Sequence, residues 1–116
     1  MAEVTIYHNP RCSKSRQTLE LLRARGIEPE IIEYLQNPPD EETLDKLLGQ
    51  LGLEPGELMR TKEDEYRELG LDAKQASRTE LLRAMIENPI LIERPIVVKG
   101  SEARLGRPPE QILEIL

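Results

Sequence analysis

The sequence contains one cysteine, one histidine and no long apolar run, and each scarcity excludes a class of protein. One cysteine cannot form an internal disulfide, so a small scaffold held by disulfides is excluded. One histidine excludes a histidine-rich metal site, and we predict no bound metal. No apolar run approaches the ~20 residues that a membrane-spanning helix requires, so we expect no membrane insertion.

Basic charge is also scarce. The chain has 16 Lys and Arg against 22 Asp and Glu, which gives a formal net charge of −6. Proteins that bind nucleic acids or anionic membranes through their general surface need excess positive charge, so we expect neither partner. The first ten residues lack the basic and apolar segments of a secretory signal. We therefore expect a protein of the reducing cytoplasm.

The composition is that of a folded protein. The 116 residues are 38% hydrophobic and 33% charged, enough to bury one core without disulfides or a structural metal. We therefore predict a single domain that spans residues 1–116.

The first third of the chain predicts a β-α-β unit. Residues 4–7 and 30–34 are rich in β-branched and aromatic side chains, whereas residues 13–25 are typical of a helix that ends at Gly26. A right-handed crossover, which such units almost always have, makes the two strands parallel.

Helical spacing dominates the middle of the chain. One apolar stripe consists of Leu44, Leu47, Leu48 and Leu51, and another of Leu81, Leu82, Met85 and Ile86. We therefore predict a helical insertion at about residues 40–88, in which Asp40 caps the first helix. The acidic run at 62–65 is interpreted as a solvated helix face.

The last third predicts a hairpin followed by a helix. Residues 95–99 form a buried strand, Gly100 and Ser101 a turn, and residues 103–105 the hairpin partner. A final helix starts at Pro108, with Ile112, Leu113, Ile115 and Leu116 as its apolar positions. The whole order resembles a thioredoxin or glutaredoxin fold, a mixed four-stranded α/β sheet, with a helical insertion between the second and third strands. This resemblance implies that Pro95 follows a cis peptide bond.

Cys12 lies between a predicted strand and a predicted helix. Free N–H groups and the positive end of the helix dipole lower the pKa of a thiol in this position and make it a nucleophile. Positive charge from Arg11, Lys14 and Arg16 adds to the effect, and Ser13 and Ser15 can cap the helix or donate to the sulfur. The alternative is an inert buried thiol, which these electropositive neighbours disfavour.

The spacing around Cys12 narrows the thiol chemistry. Ser15 occupies the second position of a Cys-x-x-Cys pair, so a resolving thiol has to come from another molecule. A phosphatase loop needs an arginine six residues after its cysteine, where this chain has Thr18. A phosphatase is therefore disfavoured.

Several motifs together resemble a family, the glutaredoxin-coupled arsenate reductases, and within it a short-chain branch. The motifs are Tyr7–Cys12 with Ser15-Arg16 and Thr18-Leu19, Tyr34-Leu35 with Asn37–Pro39, Leu58–Arg60, Asn88–Val98 and Arg104–Pro108. The best-known members have Ala-Cys-Gly-Thr-Ser-Arg where this chain has Arg11–Arg16.

The resemblance implies a role for each matching residue. Cys12 is the catalytic nucleophile and His8 a catalytic neighbour. The substrate-binding arginines are Arg60, Arg94 and Arg107, and the residues that support the thiolate are Ser15, Arg16 and Pro95. Guanidinium groups suit a tetrahedral oxyanion, although an arginine is more often a solvated surface residue, and a histidine that ends a strand is as often structural.

The implied reaction reduces arsenate to arsenite through a thiolate–arsenic adduct on Cys12. Glutathione and glutaredoxin are the implied partners, with glutathione as co-substrate and no tightly bound cofactor. Two alternatives stay open. One is a glutathione-dependent thiol reductase with another substrate, and the other is a redox-sensing regulator that binds RNA polymerase and does not act as an enzyme.

Overall fold

The computed structural model describes residues 3–70, 72 and 75–116. It divides into two compact units, one formed by the chain up to Asn37 together with Arg94–Leu116, the other by Pro38–Glu93. None of the helices in this described part is long and apolar enough to cross a membrane.

The first unit contains a four-stranded mixed sheet. Its elements are β1 (Val4–His8), α1 (Ser13–Ala24), β2 (Glu30–Glu33), β3 (Ile96–Lys99), β4 (Glu102–Leu105) and a C-terminal 3-10 helix (Pro109–Ile115). The strand order is β2-β1-β3-β4, with β1 parallel to β2 and the other two pairings antiparallel. The predicted parallel β-α-β unit and the hairpin are confirmed.

One face of this sheet carries the core of the first unit. Alternate residues of a strand point to the same face, so Val4 and Ile6 of β1 face together with Val97 of β3. Leu19 and Leu22 of α1 pack against them. Full burial of such a side chain contributes about 1.5–3 kcal/mol to the stability of the fold. This packing fixes α1 against the sheet and places the N-terminus of α1 at the end of β1.

The C-terminal segment is helical where predicted. It is a 3-10 helix, with Pro109, Ile112 and Ile115 buried at intervals of three residues. A 3-10 helix has three residues per turn, so this spacing brings the three side chains to one side. Leu113, another apolar position of this helix, lies off that side and is 36% exposed.

The second unit is helical, as predicted for the insertion. Its elements are α2 (Glu41–Leu51), α3 (Pro55–Leu58), α4 (Asp64–Leu69), α5 (Arg78–Glu87) and a 3-10 helix (Pro89–Leu91). Asp40 caps α2 by accepting a hydrogen bond from the Thr43 N–H at 2.8 Å, as predicted. Most of the two predicted stripes is buried, namely Leu44, Leu47, Leu48, Leu81, Leu82 and Met85. Through these side chains the two longer helices, α2 and α5, pack against each other.

Candidate active site

Cys12 occupies the N-cap of α1. The chain leaves β1 at His8, turns through Asn9–Arg11 and reaches Cys12 in an extended conformation with φ −93° and ψ 123°. The Cys12 carbonyl accepts the first intrahelical hydrogen bond, from the Arg16 N–H at 3.0 Å. The half-buried thiol therefore lies at the positive end of the helix dipole, as the sequence predicted.

Asn9 fixes the shape of the turn that presents Cys12. It is 4% exposed, its side-chain Oδ1 accepts from the Arg11 N–H at 3.0 Å, and its carbonyl accepts from the Cys12 N–H at 3.0 Å. Asn9 was not among the site residues predicted from the sequence. An asparagine before a proline often hydrogen-bonds the backbone two residues on, and this signal could have found it.

Opposing influences act on the thiol of Cys12. Burial raises the pKa of this thiol, while hydrogen bonds from the Ser15 and Lys14 N–H groups and the charge and hydrogen bond of Arg94 lower it. The lowering effects win, so the pKa is below the ordinary thiol value of 9.0. The site therefore favours the thiolate, the nucleophilic form of cysteine.

Arg107 reaches the same sulfur from the other end of the chain. Its Nη2 lies 3.5 Å from Cys12 Sγ, and its Nε donates to the Arg94 carbonyl at 2.7 Å. The fold thus brings Arg94 and Arg107 to the sulfur of Cys12, so two guanidinium groups lie beside one thiolate. A pair of fixed cations beside a nucleophile can hold an oxyanion next to it.

Pro95 lies between Arg94 and the first residue of β3, Ile96. The Arg94–Pro95 peptide bond is cis, as predicted, and Arg107–Pro108 is a second cis bond that the sequence analysis did not predict. Pro95 is buried.

Ser15 links His8 to Cys12. His8 is 7% exposed, and its Nδ1 lies 2.6 Å from the Oγ of the fully buried Ser15, which also accepts from the Asn9 N–H at 3.0 Å. The Ser15 main-chain N–H donates to the Cys12 sulfur. The predicted catalytic neighbour is therefore connected to the thiol through a serine.

Burial sets the protonation state of His8. It lowers the pKa of the imidazole, and Arg23 and Arg16 lower it further, whereas Glu33 raises it; the net pKa lies below 6.5. A neutral imidazole can accept at Nδ1, so the Ser15 hydroxyl can donate there while its oxygen accepts from Asn9.

Arg16 acts on the turn through its side chain. Its Nη1 donates to the Pro10 carbonyl at 3.0 Å, although the residue is exposed. This hydrogen bond ties the first turn of α1 to the loop before Cys12.

Arg60 belongs to the second unit and is held by two carboxylates. Its Nε contacts Glu63 at 3.0 Å and its Nη1 contacts Glu93 at 2.7 Å, while its N–H donates to the Leu91 carbonyl at 2.7 Å. Burial lowers the pKa of this guanidinium, but Glu93 and Glu63 raise it more, so the net pKa is raised. Glu63 was predicted on a solvated face and instead lies partly buried in this ion pair.

The described residues were also inspected for side chains of the types that bind metals. Within residues 3–70, 72 and 75–116, no group of three or more His, Cys, Asp or Glu side chains could hold a metal ion.

Comparisons with known proteins add independent findings. The family model of the ArsC family matches residues 7–115. The chain is 56% identical to the uncharacterized protein YfgD of Escherichia coli strain K12, covering 98% of this chain and 97% of that one. It is 48% identical to the arsenate reductase of Neisseria meningitidis serogroup A over the full length of both. The solved structure of an arsenate reductase from Vibrio cholerae matches with a TM-score of 0.94 and 57% identity over 97% of each chain.

Proposed function

The chain belongs to the ArsC family, and we propose that it reduces arsenate to arsenite through an adduct between arsenic and the Cys12 thiolate. The observation that carries the proposal is the environment of the sulfur. It accepts hydrogen bonds from the Ser15 N–H and from Arg94, and Arg107 Nη2 lies 3.5 Å away. The similarity to proteins named arsenate reductases supports the choice of substrate.

In the first step the thiolate displaces an oxygen of arsenate. The Cys12 sulfur forms a bond to arsenic, one As–O bond breaks, and the oxygen leaves as water after protonation. Arg94 and Arg107 offset the negative charge of the bound oxyanion and of the adduct. Arg60 is assigned the third cationic position from the family resemblance. An oxyanion that uses Arg60 has to share it with Glu63 and Glu93.

The side chains that support the thiolate act through the backbone around Cys12. Neutral His8 holds the hydroxyl of Ser15, and through it the first turn of α1, where the N–H groups donate to Cys12. Arg16 holds the preceding loop through Pro10. Pro95 restricts the backbone between Arg94 and β3 with its ring.

The electrons come from other molecules, since the chain has one cysteine. The thiol of glutathione attacks the adduct and forms a second sulfur–arsenic bond, while a second As–O bond breaks and that oxygen leaves as water. A glutaredoxin thiolate then takes the glutathione as a mixed disulfide, so two thiols are oxidised and arsenic(V) becomes arsenic(III). Hydrolysis of the remaining sulfur–arsenic bond releases arsenite and regenerates Cys12. We place the reaction in the cytoplasm, where these thiols are kept reduced.

The test is arsenite production from arsenate with glutathione and glutaredoxin. Wild type is expected to turn over, Cys12→Ser to show no turnover, and Arg60→Ala, Arg94→Ala and Arg107→Ala each to lose about 10²-fold, the usual effect of removing one donor to a developing oxyanion. Arg104→Ala is the matched control. Arg104 lies on β4, the strand that leads to Arg107, but its guanidinium forms an ion pair with Glu114 at 2.8 Å. It should stay within about twofold of wild type.

The same variants separate the alternatives. Wild type without turnover above Cys12→Ser would refute arsenate reduction. If the thiolate of that wild type still reacts with alkylating reagents, the thiol reductase with another substrate becomes the better interpretation.

A further inference from the structure

Gly106 connects β4 to Arg107 and is buried. Its backbone does not demand glycine: the positive φ angles of the described residues occur at four other glycines, Gly26, Gly52, Gly70 and Gly100. A buried glycine whose φ is not positive is explained by the space around it.

The space that a side chain at position 106 would need is occupied by Thr18 on one side and Pro95 on the other. A Cβ at Gly106 would lie 2.4 Å from Thr18 Oγ1, 2.7 Å from Pro95 Cγ and 3.0 Å from Thr18 Cγ2. The first two distances are well inside van der Waals contact. Any larger residue therefore forces either these neighbours or the backbone of residue 106 to move.

Neither Thr18 nor Pro95 can move easily away from an added Cβ. Thr18 is fully buried and β-branched, and its Oγ1 donates to the Lys14 carbonyl at 2.8 Å, which fixes its rotamer on α1. The Pro95 ring is buried and rigid, and its carbonyl accepts from the Gly106 N–H at 2.9 Å. An added carbon therefore displaces the backbone at residue 106.

The displaced backbone carries Arg107. Its guanidinium holds two contacts at once, with Cys12 Sγ at 3.5 Å and with the Arg94 carbonyl at 2.7 Å. A movement of about 1 Å is enough to break either contact, since hydrogen bonds weaken steeply with distance.

We propose that Gly106 is a positioning residue of the thiolate site: its missing Cβ lets the end of β4 lie against Thr18 and Pro95, and this close approach sets the reach of Arg107 to Cys12. This role concerns the Cys12 thiolate and the Arg107 guanidinium, and it does not depend on arsenate being the substrate.

The test is the pH dependence of Cys12 alkylation by iodoacetamide in Gly106→Ala. The midpoint is expected to move to higher pH, and alkylation below the midpoint to fall about tenfold, the effect of weakening one nearby cation. Gly49→Ala is the matched control, because a Cβ at Gly49 meets nothing within 4 Å and its φ is not positive. Its alkylation profile should match wild type.

Two further variants test whether the effect passes through Arg107. In an Arg107→Met background, Gly106→Ala should cause no additional change, whereas a purely structural defect would add the same loss again. Thr18→Ala removes two of the three close contacts and should restore part of the profile.

An unchanged profile in folded Gly106→Ala overturns the proposal, and so does an equal loss in the Arg107→Met background. If Gly106→Ala does not fold, Thr18→Ala/Gly106→Ala is compared with Thr18→Ala, with the same expected direction and the same result against it.

Discussion

Ser15→Ala should destabilise the protein far more than the loss of a single hydroxyl suggests. The Ser15 Oγ accepts from the Asn9 N–H at 3.0 Å and contacts His8 Nδ1 at 2.6 Å. Asn9 and His8 are 4% and 7% exposed, so water cannot easily replace the lost partner. Each buried polar group left without a partner costs about 1–3 kcal/mol. For the two groups together we therefore expect a loss of roughly 2–6 kcal/mol, a large part of the ~5–15 kcal/mol that stabilises a typical domain.

The measurement is urea unfolding followed by far-ultraviolet circular dichroism. Ser13→Ala is the matched control, because Ser13 is an exposed serine in the same first turn of α1. It should change the free energy of unfolding by less than about 0.5 kcal/mol. The Ser15 N–H that donates to Cys12 belongs to the main chain, so folded Ser15→Ala retains this donor to the sulfur. A loss below about 1 kcal/mol would show that Ser15 does not bridge two buried groups.

Two further predictions concern protonation. The imidazole of His8, the only histidine, should titrate below pH 6.5 by proton NMR. The unfolded chain then binds the proton first, so stability should fall as pH drops from about 6.5 to the lower folded pKa. His8→Gln should flatten that decline, and a titration midpoint above 6.5 would contradict the burial argument. Arg94→Met should raise the pH midpoint of Cys12 alkylation, because Arg94 stabilises the thiolate by charge and hydrogen bond; an unchanged midpoint would exclude that contact.

The sequence by itself determined the features that depend on near neighbours. Hydrophobic periodicity and turn residues located the four strands, α1 and the cap of α2 at Asp40, because these elements are specified within a few residues. The position of Cys12 at a helix N-terminus followed for the same reason. Its flanking basic residues can be read directly from the sequence. The family motif added Arg94 and Arg107, and the resemblance to the thioredoxin fold added the cis bond before Pro95.

Only the tertiary structure decided how distant residues share space. Arg107 reaches a sulfur 95 residues away, and the length and direction of that reach depend on the close approach of β4 to α1. No local pattern in the sequence reports that Gly106 faces Thr18 or that Arg60 is held by Glu93. The geometry of the Ser15 bridge likewise requires the imidazole and the turn to be packed together. Local patterns specify elements, whereas contacts between elements arise from packing, in which each position depends on all of its neighbours.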